Sequence, residues 1–83
     1  MTQRWLKCKV SAGMFSDERV VELRVKLGHA RTFFVPADRV LDQGAGEGQI
    51  QVGVVTQGEV TLVILPTPSR DVVPCAEDDL VPV

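Results

Sequence analysis

Apolar and polar residues alternate along most of the chain with a period of two, and valine leads the apolar residues. That spacing puts neighbours on opposite faces of a strand, and β-branched side chains fit a pleated surface. A first strand is expected from about Arg4 to Val10, with Leu6, Cys8 and Val10 inward and Trp5, Lys7 and Lys9 outward. Gly13 marks a loop over Ser11–Asp17, from which Met14 and Phe15 are expected to tuck back onto the core. A second strand, about Arg19 to Leu27, turns Val21, Leu23, Val25 and Leu27 inward and Glu22, Arg24 and Lys26 outward. Gly28-His29 suits a two-residue hairpin turn into a third strand, about Arg31 to Val35. That loop sets Lys26 opposite Arg31, an unfavourable like-charge pair. A three-residue loop sets Leu27 opposite Arg31 and turns Phe33 and Val35 inward, so the choice between Phe33 and Phe34 for the core stays open.

Pro36 to Leu41 reads as a short helical turn with proline in its tolerated first position. Asp42 to Gly48 carries three glycines and reads as a mobile loop. A fourth strand follows at about Gln49 to Thr56, a tight turn at Gln57-Gly58, and a fifth strand at about Glu59 to Leu65. Pro66-Thr67-Pro68 ends it, because proline cannot donate to the ladder. A sixth short strand, about Arg70 to Val73, leads into a proline-led turn over Pro74–Leu80. Val35-Pro36-Ala37-Asp38-Arg39-Val40 echoes Val73-Pro74-Cys75-Ala76-Glu77-Asp78-Asp79-Leu80, as if one β-β-β-turn unit were used twice. The expected fold is all-β: a compact six-stranded antiparallel barrel-like sheet or sandwich with one or two short helical turns. It forms a single small domain over residues 1–83, with candidate internal halves 1–41 and 49–83.

The hairpin of strands four and five lacks a polar face. A turn at Gln57-Gly58 pairs Val52 with Val63 and Val54 with Thr61 on one side. The other side carries Gly53 with Leu62, Val55 with Val60 and Gln51 with Ile64. A half-exposed antiparallel strand normally alternates apolar and polar, so a second layer is expected here. Met14, Phe15 and the proline-led turns are one covering. A second copy of the chain, seated on Val55, Val60, Leu62 and Ile64, is the other. A domain of 83 residues buries a modest fraction of its surface, and association is a common remedy. A homo-oligomer, first of all a dimer, is therefore expected.

Composition narrows the function. The net charge of -2 argues against a protein that coats nucleic acid. Two cysteines and one histidine exclude a zinc finger and a disulfide scaffold. No apolar run reaches bilayer-spanning length, and Met1–Trp5 lacks the apolar stretch of a secretion signal, so a cytoplasmic protein is expected. The charge is segregated. Residues 1–40 hold eight basic and four acidic residues, a net of +4, and residues 41–83 hold one and seven, a net of −6.

Candidate chemistry is sparse. Trp5, Lys7, Lys9, Arg24 and Lys26 share the outward faces of strands one and two. Cations beside an aromatic ring are what single-stranded nucleic acid binders use, and an acidic protein partner would fit the same face. A solvated strand face with Trp5 packed at an edge is the plainer account. His29 sits in a turn, where exposure explains it without catalysis. Cys8 behaves as a small inward apolar residue, and a Cys8–Cys75 disulfide, though geometrically open, is disfavoured in the cytoplasm. Gly44–Gly48 lacks the lysine and helix of a phosphate loop. Glu77, Asp78 and Asp79 point in different directions and suit a helix start better than a cation site. No catalytic residue, metal site or cofactor is assigned.

Lys7-Cys8-Lys9-Val10-Ser11-Ala12-Gly13-Met14-Phe15-Ser16-Asp17-Glu18, with Phe34-Val35-Pro36-Ala37-Asp38-Arg39-Val40, resembles small bacterial proteins of the kind encoded on integron mobile gene cassettes. The resemblance implies a bacterial, often oligomeric accessory protein and transfers no catalytic residue. The leading functional expectation is a non-enzymatic, self-associating binding module. The alternative is a binder of single-stranded nucleic acid or another anionic ligand through the Trp5–Lys26 face. The third is a small enzyme using carboxylates such as Asp38 or Glu47.

Overall fold

Alternation along the first strand sets the frame of the molecule. In the computed structural model, which describes residues 2–25 and 29–82, β1 (Thr2–Ala12) buries Leu6, Cys8 and Val10 and exposes Lys7 and Lys9. It is followed by β2 (Glu18–Val25), β3 (His29–Pro36), a 3-10 turn (Ala37–Arg39) and β4 (Val40–Gly44). The second half holds β5 (Glu47–Gln57), β6 (Val60–Ile64), β7 (Val72–Cys75) and a second 3-10 turn (Glu77–Asp79). The antiparallel sheet has the order β3-β2-β1-β5-β6-β7, with β4 on a second stretch of β5. It curls into a half barrel whose far strands approach, so that β7 lies against β2.

The strand order reads the same from either end. Each half runs three antiparallel strands outward from the centre and closes with a 3-10 turn. The segment leaving each turn then crosses to the other half. Val40 pairs with Ile50 on β5, and Leu80 bridges to Leu6 on β1. Leu6 and Ile50 are themselves directly opposed across the central β1–β5 ladder. One core fills the concave side. Leu6, Val21, Leu23, Val35, Ile50, Val52, Val63, Leu65, Val73 and Leu80 belong to it, with Phe33 as its aromatic member.

Several expectations are corrected in detail. The β2–β3 hairpin pairs Val25 with His29, and so takes neither register read from the sequence. The observed register sets Val21 beside Phe33 and Leu23 beside Arg31. Phe33 is thereby buried at 8% exposure and Phe34 is 52% exposed. Lys26, Leu27 and Gly28, and the side chains of Val25 and His29, lie outside the described residues.

Asp42–Gly48 is not a mobile loop. β4 and β5 form a tight hairpin around Ala45-Gly46, both at positive φ (56° and 77°), as a type I′ turn requires. Here glycine supplies turn geometry rather than slack, and the Gly46 carbonyl accepts a 2.8 Å bond from the Val10 amide. The β5–β6 turn is Gly58-Glu59, with Gly58 at φ 61° in the first central place. Val54 therefore opposes Val63 and Val55 opposes Leu62. That is a shift of two residues from the expected pairing, and it leaves every side chain on its expected face. Met14 and Phe15 do not tuck inward: they are 81% and 66% exposed. Their loop is closed locally, where the Glu18 amide bonds the Phe15 carbonyl at 3.2 Å and Arg19 donates to the Ser16 carbonyl at 2.9 Å. No helix among the described residues is long and apolar enough to cross a membrane.

Candidate functional site

Because odd-numbered side chains of β1 face outward, Gln3, Trp5, Lys7 and Lys9 form one row on the convex side of the sheet. The structure gathers Lys7, Lys9 and Arg24 into a groove of about 370 Å³. The same groove is lined by Glu22, Glu47 and Asp79. Lys9 stands directly between Glu22 on β2 and Glu47 on β5, an acid–base–acid row across three strands. Three cations meet three carboxylates, so the local field is close to neutral. Trp5 does not line this groove. It is half-buried opposite Gln51, and its carbonyl accepts a 2.9 Å bond from the Val81 amide. Lys26, the fifth member of the expected face, is outside the described residues.

Neither cysteine is activated as a nucleophile. Burial, aided by the Glu47 carboxylate, pushes the Cys8 thiol up to about 12. Burial also raises Cys75, with Asp79 and Glu77 acting in the same direction. Both cysteines are free and buried. Among the described residues, no group of His, Cys, Asp or Glu side chains is placed to hold a metal ion. Asp38 is exposed in the first 3-10 turn, whereas Glu47 lines the mixed groove, so these two carboxylates do not converge on one pocket.

The apolar outer face is more extensive than the sequence showed. Val55 on β5, Leu62 on β6 and Pro74 on β7 form one row across three strands. Gly53, Ile64 and Val72 form the next, and Val60 extends the patch beside Gln57. Val55, Leu62, Ile64 and Pro74 are half-buried, while Val60 and Val72 are exposed. The sequence places Pro74 at the start of a proline-led turn rather than in a strand. It sits inside β7 because a strand at the end of the sheet order tolerates its missing N–H.

A second groove, of about 330 Å³, was not anticipated. Arg39 comes from the first 3-10 turn, Gln3 and Gln51 from the outer faces of β1 and β5, and Arg70 from the turn before β7. Arg39 Nη1 donates to Gln51 Oε1 at 2.9 Å. Arg70 takes a left-handed backbone (φ 50°), closed by its amide bond to the Thr67 carbonyl at 2.9 Å. The adjacent Asp71 turns to Thr67 and Ser69, whose hydroxyls bond its carboxylate at 2.7 and 3.2 Å. Those bonds, the Thr67 one foremost, hold the Asp71 carboxyl below the usual carboxylate range. The outward alternation could have flagged Gln3 and Gln51. No local signal connects Arg39 with Arg70.

Compared with protein-family models, curated proteins and solved structures, the chain finds no match in any of the three.

Proposed function

We propose that the protein is a non-enzymatic interaction module that pairs with a second copy of itself through the outer face of β5, β6 and β7. The observation that carries this reading is the pair of apolar rows, Val55–Leu62–Pro74 and Gly53–Ile64–Val72, on the outer face, where Val72 is exposed and Val55, Leu62, Ile64 and Pro74 are half-buried. Met14 and Phe15, the intramolecular covering considered first, sit exposed at the tip of the β1–β2 loop. Fully burying a valine or leucine side chain is worth about 1.5–3 kcal/mol, so completing this partial burial favours association. A bacterial accessory role, implied by the cassette-like segments, fits the same reading.

The second reading is an anionic-ligand or single-stranded nucleic acid binder using Trp5, Lys7, Lys9 and Arg24. It draws support from their shared strand faces, but Glu22, Glu47 and Asp79 in the same groove oppose a phosphate there. Analytical ultracentrifugation at about 50 µM tests the first reading, since association depends on protomer concentration. A dimer is expected for the wild type and a folded monomer for Leu62→Lys. A wild type that stays monomeric overturns it.

A further inference from the structure

Arg39 and Arg70 lie in different halves of the chain, yet they line one groove of about 330 Å³ on the outer side of the sheet. Among the described residues, no carboxylate lines it. This separates it from the groove around Lys9, where each cation has an acid to answer it. Its polar side chains are two guanidiniums and the Gln3 and Gln51 amides, all able to donate to oxygen, with the Thr67 hydroxyl, which already donates to Asp71. Ile64 and Pro66 give it an apolar side. Arginine held in a left-handed backbone is uncommon and costs free energy, and such strain concentrates at sites that use it.

We propose that this groove binds a small organic oxyanion, a phosphate or carboxylate head on a compact apolar body. The two guanidiniums face the head and Ile64 and Pro66 face the body. The volume falls at the lower end of the range for small-molecule sites. Two cations in a chain of net charge -2 are too few to track a nucleic acid backbone, so a small ligand is favoured over a strand. Gly53 and Ile64 belong to the second apolar row as well, but every residue lining the groove comes from one chain, so the site does not depend on self-association.

Trp5, the only tryptophan, stands opposite Gln51 and reports on the groove by fluorescence. The protein is titrated at low salt with phenyl phosphate, benzoate, inorganic phosphate and a single-stranded oligonucleotide. Phenyl phosphate or benzoate is expected to bind more tightly than inorganic phosphate, and the better of the two identifies the head group. Arg39→Gln and Arg70→Gly are each expected to weaken binding about tenfold or more, as loss of a charge-assisted bond should. Glycine keeps the Arg70 backbone geometry, so that variant stays folded by circular dichroism. Lys7→Gln is expected to bind as the wild type does, and so is monomeric Leu62→Lys, which separates this site from the proposed dimer. The assignment is overturned if neither aromatic probe binds at about 10 mM, a level at which even millimolar affinity saturates. It is equally overturned if the loss falls on Lys7→Gln, or if the oligonucleotide binds more tightly than either probe.

Discussion

Leu6 and Ile50 face each other directly across the β1–β5 ladder, both buried, at the centre of the strand order. Each is also touched by the crossing segment of one half, Leu80 on Leu6 and Val40 on Ile50. Truncating either residue opens a cavity where a crossing segment meets the central ladder. Leu6→Ala and Ile50→Ala are each expected to cost about 2–5 kcal/mol, and Ile50→Val about 0.5–1.5 kcal/mol. Urea unfolding followed by circular dichroism checks this, and a loss under 1 kcal/mol for both alanine variants would contradict it.

Gly48 is required for close approach. A Cβ there would sit 2.5 Å from Val10 Cγ2 and 2.6 Å from the Leu41 carbonyl oxygen. The side chain can yield, but the β4 backbone cannot without losing its pairing with β5. Gly48→Ala is expected to destabilise by about 1–3 kcal/mol. Adding Val10→Ala should restore little, because the carbonyl contact remains. Full rescue in a double-mutant cycle would place the strain on Val10 instead.

The two adjacent phenylalanines should separate cleanly. Phe33 packs in the core and Phe34 projects outward. Phe33→Ala is expected to cost about 3–5 kcal/mol, while Phe34→Ala stays within about 0.5 kcal/mol. Thermal unfolding of both variants reads the difference, and equal shifts would mean the β2–β3 register is wrong.

The buried Cys8 thiol has a consequence at alkaline pH. Its folded-state value is raised to about 12 from an ordinary 9.0, so the unfolded chain releases this proton first. The stabilisation is complete below pH 9.0 and is lost as pH rises from there towards about 12. The urea midpoint should therefore fall between pH 9 and 11, and Cys8→Ala should flatten part of that fall. A parallel decline in both proteins would show that other groups cause it. The same burial predicts that a thiol reagent labels Cys8 only after unfolding.

What the sequence made legible followed from its period of two. The inward set Leu6, Cys8 and Val10 and the outward set Trp5, Lys7 and Lys9 lie as expected, and the all-β sheet with two short helical turns formed. The hairpin of β5 and β6 slid by two residues without moving a side chain to the wrong face, because parity survives an even shift. Turn chemistry was the weaker signal. Reading Gly44, Ala45 and Gly46 as slack hid β4 and, with it, the crossing of Val40 to Ile50. The sequence reading puts Leu80 at the end of a turn, whereas the fold buries it against Leu6. The Arg39–Arg70 groove was beyond sequence reasoning, because its two arginines come from turns beside β4 and β6, which are far apart in the chain and pair with different stretches of β5.

The exchange of closing segments makes the molecule indivisible. Val40 completes the first strand of the second half, and Leu80 completes the first strand of the first half. Neither half has a finished edge until the other is present. A chain nicked between Ala45 and Gly46 would not give two miniature domains. It would give two interlocked pieces, each serving as the template on which the other acquires its structure.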